Sequence, residues 1–524
     1  MALCVVAPVC VGCGEVISGI DTNKTQIYAY VPDVGFGTQW LEDAAADFNA
    51  EAENSEYEVV VVPFTGGLKT IETNLMAKTE EAHVIFSTTM DVKSMITNNL
   101  LLDISDVWSA VPTGEDESVR EKMTDSENFE KAFCSVEGTG VYGIPYGNAF
   151  NGLIFDFDMF LERGWLILNN DNSGLSVGPD GLPGTYDDGQ PRNMQEFDSM
   201  IRKISSDGAY PFVYTAKYPG YLTPIADALF AQYEGLENYR TFHNYSGEYL
   251  KADSTVLNIT PATGYLAYEM DGITYSIEFM KKYLANQEYV HPATHKMTSL
   301  THKEAQSKFI LGYKNASDNP LSAFLIDGTY WENEARPIFE TLSKGGEADH
   351  GYGVRDYRYL MLPRFDGQKG TTSVFASMDA GAAVVVDNND KAVNDMAKKF
   401  LIYTCMDKYL KKFTLYCGAV RPFSYELTES ELNQLTVFQR NVWKLYQDSE
   451  NVTILCPAAD KLLSPLQYAS GKPANVWQTN IAGKNYTNII PALEVNSAEA
   501  YLTGMREFYK NNWNNYYKSA EKYL

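Results

Sequence analysis

An α/β fold on open, mostly parallel sheets is what this sequence predicts, and three observations predict it. Between Thr25 and Ile104 the apolar pattern switches repeatedly from strand-like to helical, giving the order β-α-β-α-β-α. The chain has 524 residues, enough for two to four domains or lobes at about 100–200 residues each. Its 45% hydrophobic and 21% charged residues are those of a globular protein and exclude general disorder.

The elements follow in order. Thr25–Val31 alternates and reads as a strand. A helix through Asn49 places Trp40, Leu41, Ala44, Ala45 and Phe48 on one face. Tyr57–Pro63 is a buried strand, broken by Gly66-Gly67, and Leu68–Lys78 is helical. Ala82–Phe86 is a third strand and Asp91–Asn99 a helix. In open sheets of this kind ligands sit at the carboxyl ends of strands, which puts 33–37, 65–67 and 87–91 on one rim. Val141–Phe157 reads as two extended pieces around Gly147-Asn148, since Pro145 disfavours helix there. The run 169–189 is dense in Asp, Asn and Gly and reads as a loop. Helical patterns follow at Met194–Ser205, Ile273–Asn286 and His302–Leu311. Ser322–Leu325 is a strand leading into Asp327-Gly328-Thr329-Tyr330-Trp331. Tyr359–Pro363 is extended, Ala382–Val386 a strand, Lys391–Cys405 an amphipathic helix, and the last hundred residues are mainly helical.

The formal charge of −26 opposes binding to the phosphate backbone of nucleic acid or to an anionic membrane surface. Tyr is the unusual residue, at 36 copies alongside 25 Phe and 7 Trp. Each phenol needs a partner or water, so this excess points to ring-lined clefts or to wet surfaces. The 6 His are scattered, and no GxSxG, HExxH or GxxxxGKS motif is present.

The apolar run Ala2–Gly12 is too short to span a bilayer, which needs about 20 residues. It fits the apolar region of a secretory signal, and Val11-Gly12-Cys13-Gly14 resembles a bacterial lipoprotein signal. The resemblance implies that Cys13 is acylated, that 1–13 is signal and acylated Cys, and that 14–25 is a tether. Cys10 departs from the pattern, which prefers Leu there, and no basic segment precedes Ala2. Of the later cysteines, 134, 405, 417 and 456, none forms a CxxC or zinc spacing; Cys405 and Cys417 are the candidate pair.

Four pieces resemble the family 1 extracellular solute-binding proteins, the maltose-binding-protein-like carbohydrate subunits of bacterial ABC importers. They are AHVIFSTTMDVKSMITNNLLLDI (82–104), GVYGIPYGNAFNGLIFDFDMF (140–160), SAFLIDGTYW (322–331), and YLMLPRFDGQ (359–368) with GAAVVVDNNDKAVNDMAKKFLIY (381–403). GAVRPF (418–423) resembles a further crossing between lobes. The resemblance implies a two-lobed type II periplasmic-binding-protein fold, with discontinuous lobes joined by a hinge and a ligand cleft between them. Lobe 1 would hold 26–145 plus 373–420, and lobe 2 would hold 146–372 plus 421–524.

It also implies a function. The chain would be a non-enzymatic receptor that captures an oligosaccharide and delivers it to ABC permease subunits. It would be a monomer on the extracellular face of a Gram-positive cell membrane, held by its lipid alone, with no cofactor for chemistry. Sugars offer C–H faces to aromatic rings and hydroxyls to polar groups. Carried over position by position, Tyr330 and Trp331 follow the turn where the family places a stacking ring. Ser87, Thr88, Thr89 and Asp91 occupy a rim turn, although the family's carboxylate aligns near Met90. Tyr146, Asn148 and Asn151 flank the first crossing; Met378 and Asp379 precede the strand at the second. Phe36, Trp40, Thr65 and Gly66 lie on the first two rim turns, and Trp477 in a late loop. Trp40 also fits an ordinary core position, Tyr330 and Trp331 an ordinary turn, and Asn148 a left-handed turn residue.

The loop 169–189 offers Asp171, Asp180, Asp187 and Asp188 with Asn170 and Asn172, and its glycines permit sharp turns. Hard cations take 6–8 oxygen ligands, so the loop is a candidate for structural Ca2+, or else a solvated acidic insertion. The spacing is not that of an EF-hand. Two other classes compete: a secreted glycan-degrading enzyme, which needs two carboxylates flanking a sugar bond, and a binding lipoprotein for a non-sugar solute.

Overall fold

The computed structural model describes residues 20–33, 35–64, 68–79, 81–87, 90–135, 137–171, 173–377, 381–456, 460, 464–467 and 476–524. Cys13, Thr65, Gly66, Thr88, Thr89, Met378 and Asp379 lie outside them. Among the described residues the strands are, in chain order, β1 (Thr25–Pro32), β2 (Tyr57–Phe64), β3 (Val84–Ser87), β4 (Ile144–Pro145), β5 (Asn151–Asp156), β6 (Tyr210–Val213), β7 (Gly247–Leu250), β8 (Val256–Ile259), β9 (Ser322–Gly328), β10 (Tyr357–Tyr359), β11 (Ser373–Ala376), β12 (Ala382–Val385), β13 (Val452–Leu455), β14 (Thr479–Ile481) and β15 (Lys484–Tyr486).

The chain divides into two compact units. Unit 1 is 1–147, 381–417 and 421–426; unit 2 is 148–380, 418–420 and 427–524. Residues 373–377, expected in the first lobe, belong to unit 2, where β11 pairs with β13 and β5, and so do 418–420, whereas 146–147 and 421–426, expected in the second lobe, belong to unit 1.

Unit 1 is built on the sheet β2-β1-β3-β12-β4. β1 runs parallel to β2 and β3, as the β-α-β pattern requires. β12 breaks the parallel pattern, running antiparallel to both β3 and β4. The helix Gln39–Ala50 buries Trp40, Leu41, Ala44, Ala45 and Phe48, the face read from its spacing. Trp40 packs edge-on against Phe86 and Phe413. Asp91 accepts from Ser94 N at 3.1 Å and starts the helix Val92–Thr97.

Unit 2 carries the sheet β13-β11-β5-β9-β6, with β10 added to β5. β5 is antiparallel to β9, β10 and β11, so this sheet is mixed. Every residue of β5 and β9 is buried, as expected of central strands covered on both faces. The helix Thr223–Glu234 is enclosed along nearly its whole length and packs on Asp271–Phe279. Asn193 caps Met194–Ser206 through two backbone amides, and a Thr301/Glu304 capping box opens His302–Leu311. Much of the tyrosine excess is spent in this interior: Tyr233, Tyr239, Tyr245, Tyr249 and Tyr268 are all fully buried. The strand β13 and the hairpin β14–β15 interrupt the last hundred residues, expected to be mainly helical, and β7–β8 forms a second hairpin. No described helix is long and apolar enough to cross a membrane.

Candidate functional site

β9 ends at Gly328, and the turn beyond it gathers polar groups with rings. Asp327, only 1% exposed, accepts from Gly328 N at 2.8 Å and from Gln306 Nε2 at 3.0 Å. The same Gln306 nitrogen donates to Glu334 Oε2 at 2.9 Å, so one amide holds two carboxylates. His302 Nε2 stands 3.6 Å from Glu334 Oε1. Burial and the Glu334 charge push Asp327 up to about 7. Burial alone would lower His302, but the Glu334 carboxylate beside it lifts the imidazole above its usual value.

Aromatic rings flank this chain of polar groups. Tyr221 stacks on His302 with ring centroids 5.8 Å apart and planes inclined by 15°. Tyr218, 39% exposed, lies 5.7 Å from His302 and 6.4 Å from Tyr221. Tyr330 folds back toward its own strand, and burial together with the neighbouring Tyr221 raises its phenol. Asn151 Nδ2 donates to the Tyr221 carbonyl at 3.3 Å, and Thr329 N donates to the Phe150 carbonyl at 3.1 Å. The start of β5 and the end of β9 thus meet at this turn. Tyr330 and Asn151, two residues expected from the sequence resemblance, stand at this turn. Members not singled out from sequence include His302, Gln306 and Glu334. The helix His302–Leu311 and the residues 21 and 28 positions from Gln306 come together only in the fold.

Other expected residues are placed differently. Trp331 is fully enclosed among Phe309, Phe339, Tyr357 and Phe438, leaving no face for a sugar; as the first residue of the short helix Trp331–Glu334 it turns into the core. Trp477 is 1% exposed, and its Nε1 donates to Asp227 at 2.9 Å inside unit 2. Phe36, Trp40 and Tyr146 form one buried ring cluster with Phe413 in unit 1. Ser87 is buried at the end of β3, and Asp91 serves as a helix cap. Asn148 donates its backbone N–H to the Val420 carbonyl at 2.9 Å, and its own carbonyl accepts from the Tyr446 hydroxyl.

The acidic loop uses its carboxylates on its own backbone. Asp171 accepts from Ser173 N, Asp180 from Leu182 N, Asp187 from Asp180 N and Thr185, and Asp188 from Gly184 N. Burial and the Asp180 charge push Asp187 up to about 6. Tyr186 ties the loop to β10 through both backbone groups of Tyr359. Among the described residues no three His, Cys, Asp or Glu side chains are grouped as a metal site. Cys405 and Cys417, the candidate pair, are not bonded to each other: Cys405 Sγ donates to the Leu401 carbonyl at 3.4 Å and Cys417 Sγ to the Phe413 carbonyl at 3.1 Å.

Solved structures of the same fold span nearly the whole chain. The apo form of RafE from Streptococcus pneumoniae is 14% identical, covers 94% of this chain and 99% of its own, and has a TM-score of 0.56. A chitin oligosaccharide binding protein is 13% identical over 94% and 100%, with a TM-score of 0.56. A probable secreted solute-binding lipoprotein from Streptomyces coelicolor is 12% identical over 94% and 100%, with a TM-score of 0.58. Neither a family model nor a curated protein matches the chain. The likeness establishes the class of fold: this is the α/β fold of the solute-binding proteins, as the sequence resemblance implied.

Proposed function

We propose that this chain is an extracellular carbohydrate receptor that captures an oligosaccharide and delivers it to an ABC permease without chemical change. The observation that carries the reading is the whole-chain likeness to solved sugar-binding proteins, one of them in complex with raffinose. Asn151, Tyr218, Tyr221 and Tyr330 at the β9 turn support it, since rings and buried amides together suit a sugar's faces and hydroxyls. The receptor is a monomer, anchored by lipid at Cys13 on the outer face of the cell membrane. The 169–189 loop is the place for structural Ca2+, supported by Asp188 Oδ1, which is buried without a hydrogen-bond partner.

Calorimetric titration against α- and β-linked oligosaccharides tests the reading. Saturable micromolar binding to one linkage class, with no product formed, is the expected result. Sugar release would instead mark an enzyme, and silence across the panel would withdraw the carbohydrate.

A further inference from the structure

The polar cluster beneath the β9 turn has more acceptors than its neighbours satisfy. Gln306 is fully buried and spends its Nε2 on Asp327 and Glu334, yet its Oε1 has no partner. Thr329, 1% exposed, has an unpartnered Oγ1. Leaving buried polar atoms unpaired is costly, so two in one place call for a missing partner. The charges are unbalanced as well. Asp327 and Glu334 offer two carboxylates against one imidazole, His302, whose own charge Lys303 opposes.

We propose that this cluster is an amine subsite, receiving the protonated amino group of an amino sugar between Asp327, Glu334 and Gln306 Oε1, with the pyranose against Tyr218, Tyr221 and Tyr330. The inference rests on the carbohydrate-receptor reading and narrows it to a class of sugar. An ammonium supplies donors for the open acceptors and a charge for the carboxylates. A neutral sugar's hydroxyl supplies only the donor and leaves Asp327 and Glu334 repelling each other. An N-acetylated sugar has lost the charge and adds bulk where the cluster is already enclosed. The rings suit a cation too, since aromatic faces attract one within about 6 Å.

The test is calorimetry of the full chain at pH 7 with sugars that differ only at the amino position: glucosamine, N-acetylglucosamine and glucose, each as monosaccharide and as β-1,4 tetramer. The amine member should bind at least tenfold more tightly than its acetylated and neutral counterparts. In both Glu334→Gln and Asp327→Asn, each first checked for a cooperative melt, that ratio should collapse toward one. Equal or tighter binding by the neutral or acetylated members would overturn the amine subsite while leaving the carbohydrate receptor standing. So would an unchanged ratio in both folded variants. Failure of the amine members to bind overturns the subsite, and failure of the broader oligosaccharide panel is what overturns the receptor.

Discussion

The ring of Tyr330 lies directly over Gly328: a Cβ built on Gly328 would stand 2.7 Å from Tyr330 Cζ. Glycine is therefore the residue that lets the β9 turn fold its tyrosine back toward Tyr221. Gly328→Ala should push the ring out of place with little loss of fold, because the obstacle is a side chain rather than backbone. We expect sugar affinity to fall about tenfold while the melting temperature moves by no more than a few degrees. An unchanged affinity would detach Tyr330 from the binding site.

Trp331, next in sequence, should behave in the opposite way. Its ring is core, packed between Phe309 and Phe438. Trp331→Phe should cost about 1–3 kcal/mol of stability from the cavity it leaves, and leave sugar affinity alone. Tyr330→Ala should do the reverse. Denaturant titration and calorimetry on the same two variants separate the roles.

That contrast shows where the sequence is legible. Thr25–Pro32, Gln39–Ala50 and His302–Leu311 emerge within a residue or so of their reading, because period and capping are local signals. β11 and β13 do not. Each is four residues long, and Ser373 meets Val452 from far along the chain, so no local period announces them. The site divides the same way. Asp327-Gly328-Thr329-Tyr330 stands out as a strand running into a glycine turn. Gln306 and Glu334 are ordinary polar residues on helical stretches until the fold closes them around Asp327. Trp331 and Trp477 misled because ring type says nothing about which way a ring faces.

Gly178 in the acidic loop has φ +64°, and a Cβ there would meet the Asp187 carbonyl oxygen at 2.3 Å. Both the backbone conformation and the neighbour oppose any side chain. Gly178→Ala should cost about 2–3 kcal/mol by the same mechanisms that make strained positions intolerant. If Ca2+ is held at Asp188, a chelator should lower the melting temperature of the unaltered protein, and lower that of the variant less. Equal melting curves with and without chelator would remove calcium from the loop.

Arg421 in unit 1 is fully buried, donating from Nε to the Tyr146 carbonyl at 3.1 Å and from Nη1 to the Thr404 carbonyl at 2.6 Å. Its guanidinium also lies 5.5 Å from the Trp40 ring centroid and 5.1 Å from that of Phe423. A lysine cannot reach two carbonyls with a planar fork. Arg421→Lys should therefore cost about 2–3 kcal/mol, the worth of one charged hydrogen bond and an orphaned carbonyl. In urea the midpoint should fall with an unchanged slope. A midpoint equal to that of the unaltered protein would mean that the second bond contributes nothing.

Glu332 sets a pH dependence of stability whose sign can be worked out. It is 1% exposed, and one oxygen accepts from the Thr436 hydroxyl at 2.5 Å. Burial pushes it up to about 7 from an ordinary 4.5. Between those values the folded chain keeps a proton that the unfolded chain has released. Stability from this group is therefore full below about pH 4.5, falls as pH rises to about 7, and is level above. Asp327 titrates with the same sign in the same window. Asp43 and Asp47 work the other way, held below the usual carboxylate range by Lys412 and Lys408, but their stabilisation is lost only at more acid pH. His83 and His291, lowered by burial to about 4, oppose Glu332 and Asp327 up to about pH 6.5, and Asp187, pushed up to about 6, acts with them, so it is the comparison of variant with unaltered protein that isolates Glu332. Glu332→Gln keeps the acceptor for Thr436 and has no charge to bury. It should match the unaltered protein at pH 5 and exceed it at pH 8, by as much as about 3 kcal/mol. Urea midpoints measured at pH 5, 6, 7 and 8 check this, and parallel profiles for the two proteins would show that Glu332 is not the group that titrates.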